Sequence, residues 1–318
     1  MEITPELAER LEQLKLKYAA MGQDMLSYID GLLYADYLTY WDYINLDVLL
    51  NLQHPRTPFP DEQIFIMYHQ VTELYFKLCL HAIKQIADDA ELDAQKMLVQ
   101  LRRINTYFDA LIRSFDVMVD GMDKDQFLKF RMALLPASGF QSAQYRMIEI
   151  CSTPLKYLVT YDERTRMEDV SNLEEVYEHI YWRQGATELA SKQKTLTLKQ
   201  FEAKYSKDFV KLATEYQDKN IYRRYLALPE SERKNDALID QLKQFDSAAN
   251  IEWPMVHFKS AARYLMRKPE DIKATGGTNW QQYLPPKTRR VTFFPVLWTE
   301  EEYKNWGLRS YQKVMGQL

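Results

Sequence analysis

Apolar residues recur every three or four positions along much of this chain, which is the spacing of a buried helix face. The clearest case lies within 91–118, where six apolar residues keep this spacing and are predicted to face the core: Met97, Leu98, Leu101, Ile104, Phe108 and Leu111. Five further helices are predicted from the same pattern and from proline and capping residues at their ends, over 4–20, 61–78, 122–135, 141–150 and 251–267.

The helix predicted within PFPDEQIFIMYHQVTELYF (58–76) has two apolar faces. One is an aliphatic stripe, which is predicted to be its core side: Ile64, Met67, Val71, Leu74 and Leu78. The other is aromatic with two polar groups and consists of Phe65, His69, Thr72 and Phe76. This pattern fits a helix with the core on one side and a ligand cavity on the other. It fits equally a helix buried all round, with His69 as an ordinary core histidine.

The stretch from about 160 to 245 is strongly charged and carries only narrow apolar stripes. We predict peripheral helices here, packed on one side only, as a small helical subdomain within a single domain over 1–318. Nine glycines in 318 residues, with no internal repeat, also favour helix. The predicted fold class is all-α, a helical bundle with this charged insertion.

Charge and cysteine content narrow the possible partners and the compartment. A net charge of −4 and a pI near 5.9 give no global attraction to nucleic acid or an acidic membrane. No uncharged apolar stretch approaches the length that spans a bilayer, and the charged N-terminus lacks the pattern of a secretion signal. The only two cysteines, Cys79 and Cys151, lie in apolar runs, so we predict buried free thiols and a cytoplasmic protein.

The histidines limit the kinds of metal site that this chain can form. None of the five has an acidic residue three positions before it, which excludes the Glu-x-x-His pairs of a di-iron bundle. No histidine or cysteine pair has a spacing typical of zinc. A porphyrin-bound metal stays possible, because it needs one axial protein ligand and an apolar slot.

Arg131 is the second unusual residue, because it stands among Phe127, Phe130 and Leu134. An arginine in such a place can extend its charge to the solvent or pair with a nearby acid. It can also bind a substrate carboxylate through two parallel hydrogen bonds.

Six segments, in this order, resemble the tryptophan 2,3-dioxygenases. They are YWDYINLDVLLNLQ (40–53), DEQIFIMYHQVTELYFKL (61–78), FLKFRMALLPASGFQSAQYR (127–146), WPMVH (253–257), ATGGT (274–278) and TFFPVLW (292–298). Together they cover most of the chain apart from its first thirty residues and the charged middle. The resemblance implies an enzyme with haem b, ferrous in its active form. It adds O₂ to the indole C2–C3 bond of L-tryptophan and gives N-formylkynurenine, the first step of tryptophan catabolism by the kynurenine route.

The resemblance also implies roles for individual residues. His257 in WPMVH matches the proximal ligand of the haem iron, and His69 matches the distal histidine beside the indole nitrogen. Phe65 and Phe127 match the aromatic walls of the substrate pocket, and Ser138 matches a serine over the haem.

Two further implied features concern the amino-acid end of the substrate and the subunits. Arg131 matches the residue that binds the substrate carboxylate, and Thr275 the one that contacts its ammonium and carboxylate groups. The family is homotetrameric, and a neighbouring subunit closes the pocket with residues that here are Tyr40, Tyr43 and Ile44.

Two alternative functions stay open beside the dioxygenase. One is a haem-dependent aromatic hydroxylase or monooxygenase on the same scaffold, acting on a related aromatic amino acid. The other is a helical interaction protein without catalytic activity, which would carry no haem.

Overall fold

A computed structural model gives the structure of this chain and describes residues 3–36, 38–134, 141–185, 194–265 and 285–316. Every regular element within these ranges is a helix, which confirms the predicted all-α class. The chain divides into two compact units, of which the first ends at His54 and the second begins at Pro55. None of the helices in the described ranges is long and apolar enough to cross a membrane.

The first unit contains four helices that bury none of their described side chains. They are α1 (Pro5–Ala20), α2 (Met25–Leu33), α3 (Tyr40–Tyr43) and α4 (Leu46–Leu49). The predicted first helix is confirmed, since the Thr4 hydroxyl accepts a hydrogen bond from the Leu7 N–H and Pro5 takes the first helical position. Large apolar side chains such as Leu33 (75% exposed) and Trp41 (55% exposed) face the solvent in this unit.

The second unit contains the remaining helices. The α-helices described in it are α5 (Asp61–Asp88), α6 (Ala94–Ser114), α7 (Asp116–Val119), α8 (Lys124–Phe130), α9 (Ala143–Ser152), α10 (Arg164–Met167), α11 (Leu173–Glu178), α12 (Tyr181–Gly185), α13 (Leu196–Glu215), α14 (Ile221–Ala227), α15 (Glu230–Arg233), α16 (Asp236–Ser247), α17 (Trp253–Leu265), α18 (Pro286–Arg289), α19 (Glu300–Lys304) and α20 (Leu308–Met315). Short 3₁₀ turns cover Arg131–Leu134, Leu155–Leu158, Tyr161–Glu163 and Pro295–Leu297, and a π-helical turn covers Ala248–Glu252.

The helices α5 and α6 pack against each other and form the centre of the core. A five-residue loop joins them, and Asp93 at its end caps α6 by accepting a hydrogen bond from the Lys96 N–H at 2.7 Å. All six residues predicted to face the core from α6 are buried, which confirms that part of the sequence pattern. Cys79 and Cys151 are also buried and free, as predicted.

The predicted orientation of α5 is wrong. Four residues of the aliphatic stripe are between 42% and 49% exposed, and we call them the outer stripe: Met67, Val71, Leu74 and Leu78. The side toward the core contains Tyr68, Thr72, Phe76, Cys79 and Ile83. Both faces have helical spacing, so periodicity could not choose between them. The core takes the face that carries the larger aromatic area.

One buried carboxylate connects α16 to the C-terminal segment. Asp246 accepts hydrogen bonds from the backbone N–H groups of Phe293 (2.9 Å) and Phe294 (3.1 Å) and from the indole N–H of Trp298 (2.8 Å). The side-chain amide of Asn250 donates a fourth bond at 2.8 Å. The segment that follows α18 is thereby fixed against the helix that leads into α17.

Helices within 160–245 contribute to the common core. Trp182, Phe209, Leu238 and Phe245 are fully buried and belong to the same apolar cluster as α5 and α6. The helix α13 shows the narrow apolar stripe expected from the sequence, with exposed charged residues on its other sides. The division of this stretch into a peripheral subdomain stays a prediction.

We expect Asp246 to make the stability of the fold depend on pH. Burial raises the pKa of its carboxyl to about 6 from 3.8, against the opposing effect of its four hydrogen bonds. The folded state therefore binds this proton more tightly than the unfolded chain does, and the stabilisation declines as the pH rises from 3.8 to about 6. The difference in free energy of unfolding between wild type and Asp246→Asn should be about 1 kcal/mol more favourable to the wild type at pH 5 than at pH 7.

Urea unfolding at the two pH values measures this difference. Asp208→Asn, at an exposed position of α13, controls for the loss of one negative charge. A wild-type advantage that grows toward pH 7 would contradict the raised pKa.

Candidate active site

His69 lies near the start of α5 with its ring against Phe65. The two residues are one helical turn apart, and their ring centroids are 4.1 Å apart. The ring nitrogen Nδ1 of His69 lies 2.7 Å from the backbone carbonyl oxygen of Phe65. Both side chains are half-buried, whereas Thr72 and Phe76 of the same helix face are buried. This end of the face is therefore less deeply buried than the rest.

His257 has the same local arrangement on α17. Its Nδ1 lies 3.3 Å from the carbonyl oxygen of Trp253, one turn earlier. Its ring meets the ring of Trp253 at 4.6 Å and that of Phe115 at 4.5 Å, both edge to face. This side chain is also half-buried.

These contacts fix the tautomer of both histidines. A carbonyl oxygen only accepts hydrogen bonds, so Nδ1 must carry the proton in each ring. The lone pair of each imidazole therefore lies on Nε2. A nitrogen of this kind can bind a metal ion or accept a hydrogen bond from a ligand.

Both histidines are neutral near pH 7. Burial lowers the pKa of His257 to about 4 against the opposing effect of the Trp253 carbonyl, and the positive charges of Arg146 and Arg289 also lower it. Burial also lowers the pKa of His69, against the opposing effects of the Phe65 carbonyl and Glu73. At neutral pH, therefore, a proton does not occupy Nε2 of either ring, and this nitrogen can accept a bond from a ligand.

A continuous aromatic cluster connects the two histidines. The ring of Tyr68 contacts His69 at 5.9 Å on one side and Phe115 at 5.7 Å on the other. Phe115 in turn contacts both His257 and Trp253. The structure thus brings together two residues that are nearly two hundred positions apart in the sequence.

Phe127 of α8 extends this aromatic surface. Its ring centroid is 6.3 Å from that of Phe65 and 4.6 Å from that of Tyr264. The hydroxyl of Tyr264 donates to the carbonyl of Met118 at 2.7 Å, which fixes the ring. Two of the predicted pocket walls, Phe65 and Phe127, are therefore neighbours.

Arg131 follows Phe127 by one turn, at the first position of the 3₁₀ turn after α8. Only 6% of its surface is exposed, and burial lowers the pKa of its guanidinium without removing its charge near neutral pH. A buried positive charge beside the aromatic surface is a suitable partner for a carboxylate.

The other predicted site residues fall elsewhere. Ser138 and Thr275 lie outside the described residues. Tyr40, Tyr43 and Ile44 belong to the first unit, where Tyr40 is 70% exposed, Tyr43 is 75% exposed and Ile44 is half-buried.

Sequence reasoning missed four residues that shape this site: Tyr68, Phe115, Trp253 and Tyr264. Trp253 stands four positions before His257 and Tyr264 seven after it, so helical spacing could have placed both on the histidine side of α17. Phe115 carries no such signal, because it reaches His257 through the packing of different helices.

Within the described ranges, no three His, Cys, Asp or Glu side chains come together to hold a metal ion. An iron bound in a porphyrin needs one protein nitrogen, and a neutral histidine with its lone pair on Nε2 provides it.

The sequence of this chain is similar to one family of known proteins. A sequence model of the tryptophan 2,3-dioxygenase family matches residues 32–270. The tryptophan 2,3-dioxygenase of a Polaromonas strain is 29% identical over 267 residues, which are 80% of this chain and 84% of that protein. That of Bacillus thuringiensis subsp. konkukian is 30% identical over 265 residues, covering 80% of this chain and 88% of the relative. A shorter match of 109 residues to the enzyme of Herpetosiphon aurantiacus is 43% identical and covers 33% of this chain and 42% of that protein.

We expect both histidines to stay neutral as the pH is lowered below the ordinary imidazole range. In protein purified without added cofactor, the ring signal of His257 should show no protonation between about pH 7.5 and about pH 6, and that of His69 should have a midpoint below 6.5, because burial disfavours the charged ring. Histidine-labelled protein, with signals assigned by His69→Gln and His257→Gln, allows the measurement by nuclear magnetic resonance. A midpoint at or above 6.5 for either residue would contradict the burial described here.

Proposed function

The chain belongs to the tryptophan 2,3-dioxygenase family, and we propose that it is a haem-dependent enzyme that adds both atoms of O₂ across the indole C2–C3 bond of L-tryptophan. The product is N-formylkynurenine, so the reaction begins tryptophan catabolism by the kynurenine route. The observation that carries this proposal is the pair of neutral histidines, His69 and His257, joined by one aromatic cluster.

The residues around His257 fit a haem b group. The hydrogen bond from its Nδ1–H to the Trp253 carbonyl orients the ring and makes Nε2 a better donor to iron. Phe115 and Trp253 supply apolar surface against the His257 ring, and Tyr68 extends this surface through its contact with Phe115. Bound ferrous haem would supply the activation of O₂, which the side chains of a protein cannot achieve by themselves.

The role of the chain is then to bind and orient the substrate. Phe65 and Phe127 hold the indole between aromatic surfaces, and the guanidinium of Arg131 binds the carboxylate at the other end. The family resemblance adds Thr275 at the ammonium and carboxylate groups and Ser138 over the haem. With both ends of the substrate held, its reacting bond has one orientation.

His69 orients the indole and is a poor candidate for a base. Its Nε2 lone pair accepts a hydrogen bond from the indole N–H. Burial lowers the pKa of this imidazole below its ordinary value, whereas the indole N–H is a far weaker acid, so full proton removal is unfavourable.

We also propose that the active protein is a homotetramer in which Tyr40, Tyr43 and Ile44 close the pocket of a neighbouring subunit. Two observations support this proposal. The first unit buries none of its described side chains, and the outer stripe of α5 exposes apolar surface next to the face that carries His69. The free buried thiols of Cys79 and Cys151 support the expected cytoplasmic location.

Product analysis tests the proposed reaction. Reduced, haem-loaded protein in air should convert L-tryptophan to a product that contains two additional oxygen atoms and has the near-ultraviolet absorbance of N-formylkynurenine. We expect His257→Ala to lose haem and His69→Ala to keep haem with reduced activity, because only the first residue binds iron. His81→Ala, at an exposed position of the same helix α5, should behave as wild type.

Three results would contradict the proposal. A product with one added oxygen atom would indicate the hydroxylase alternative. Wild-type protein without a stoichiometric Soret band would favour an interaction protein. Full haem in His257→Ala would show that another residue binds the iron.

Arg131→Leu should mainly raise KM, by about 10- to 100-fold, because a hydrogen bond to a charged group contributes ~1.5–3 kcal/mol. The double variant Tyr40→Ala, Tyr43→Ala should raise KM as well if these side chains complete the pocket. Steady-state kinetics measure both effects, and Arg103→Leu, at an exposed position of α6, controls for loss of an arginine.

Co-expression of these two defective proteins with different affinity tags then tests the exchange between subunits. Mixed oligomers should regain sites of wild-type KM. In such a site, the intact Tyr40 and Tyr43 of an Arg131→Leu subunit close a pocket whose Arg131 belongs to the neighbouring Tyr40→Ala, Tyr43→Ala subunit. Mixed oligomers without such sites would show that the two tyrosines do not act across the subunit boundary.

A further inference from the structure

The helix that carries His257 begins with an irregular turn. The helix α16 passes into α17 through the π-helical turn Ala248–Glu252, without an intervening loop. In this turn the N–H of Trp253 donates to the carbonyl of Ala248, five residues back, where an α-helix would use Ala249. Such a turn holds one more residue than an α-helical turn, and turns of this kind occur frequently at functional sites.

Pro254 accounts for the position of this turn. Proline has no N–H, and in an α-helix its ring collides with the carbonyl four residues back, which here belongs to Asn250. The wider turn relieves that collision. Pro254 has no N–H to donate to the carbonyl of Ala249 or of Asn250, and the N–H of Trp253, which an α-helix would direct to Ala249, donates to Ala248 instead.

Two side chains from other parts of the core donate hydrogen bonds to these two carbonyls. The hydroxyl of Tyr145, on α9, donates to the carbonyl of Ala249 at 2.7 Å. The guanidinium of Arg289, on α18, donates to the carbonyl of Asn250 at 3.1 Å. Both side chains are buried, and Ala249 and Asn250 are at most 1% exposed, so water does not replace these bonds.

The width of this turn decides where His257 points. Each residue of an α-helix turns the chain by about 100°, so one additional residue rotates everything after it by about that angle. In the observed register, the ring of His257 meets Phe115, which lies outside α17. The contact of His257 with Trp253 lies within α17 and is the same in either register, whereas an uninterrupted α-helix would direct the ring of His257 away from Phe115.

We propose that Tyr145, Arg289 and Pro254 are positioning residues. They keep the turn Ala248–Glu252 π-helical, and this turn sets the rotation of α17 that directs His257 to the haem iron. The part that concerns haem rests on the proposed function. The part that concerns the helix register stands on the contacts of Ala248, Ala249 and Asn250 alone.

A double-mutant cycle with Tyr145→Phe and Pro254→Ala tests this proposal. Tyr145→Phe removes the hydrogen-bond donor to the Ala249 carbonyl and should lower both the melting temperature and the haem affinity. We expect the affinity to fall by about tenfold, because the loss of one buried hydrogen bond changes an equilibrium constant by about that factor. Pro254→Ala restores a backbone N–H. Together the two substitutions allow a regular α-helix in which Trp253 donates to Ala249 and residue 254 donates to Asn250.

Stability and haem ligation should therefore separate in the double variant. We expect its melting temperature to rise above that of Tyr145→Phe, while the iron–histidine stretching band of the ferrous haem protein weakens further. If Tyr145 has only a structural role, the iron–histidine stretching band of the double variant should instead recover together with its melting temperature. Tyr225→Phe is the matched control, since Tyr225 is also buried and its hydroxyl also donates to a carbonyl, that of Arg233 at 3.0 Å. It should lower stability without changing the band.

Crystal structures of haem-free wild type and double variant give the direct answer. The expected result is that Trp253 donates to Ala248 in the wild type and to Ala249 in the double variant, with His257 turned away from Phe115. An unchanged register in the double variant would overturn the proposal. Failure of the wild type to bind haem would contradict the proposed function and leave this comparison of registers valid.

Discussion

The carboxylate of Asp246 is the point on which the arrangement of the second unit depends. It is fully buried, and its four hydrogen bonds reach the backbone of the C-terminal segment, the indole of Trp298 and the amide of Asn250. A buried carboxylate without hydrogen-bond partners would strongly destabilise the fold. The fold is therefore stable only when the donors to Asp246 are all in place. The segments that meet here include the end of α16, from which the chain continues directly to His257.

His69 and His257 have the same local hydrogen bonding, and the different roles that we propose for them rest on their different surroundings. Each uses the carbonyl one turn earlier to fix Nδ1, and burial keeps each neutral. His257 lies against Phe115 and Trp253, which suits a metal ligand in an apolar slot. His69 lies beside Phe65, close to Phe127 and the charge of Arg131 further along, which suits contact with an amphipathic substrate. The aromatic cluster keeps the two environments adjacent.

The all-α class and the helices could be predicted from sequence, whereas the packing that places His69, His257 and Phe115 in one cluster could not. Periodicity identified the buried face of α6 correctly because its other face is plainly polar. It failed for α5, where both faces are apolar and only the rest of the core selects between them. Ser138 and Thr275 stay predictions. The contact of Phe115 with His257 depends on two helices that are far apart in the sequence. Pro254 is visible in the sequence, but whether it ends a helix or widens it depends on Tyr145 and Arg289, which are more than thirty residues away on either side.

The outer stripe of α5 has a thermodynamic consequence. The same helix presents Phe65 and His69 on one side and uncovered aliphatic side chains on the next. If a second subunit covers those side chains, binding of the neighbour and binding of the substrate on the adjacent face are linked wherever both affect the position of α5. Linkage is reciprocal, so whatever factor association adds to substrate affinity, bound substrate must add to the affinity between subunits. The concentration of L-tryptophan would then set the fraction of assembled protein.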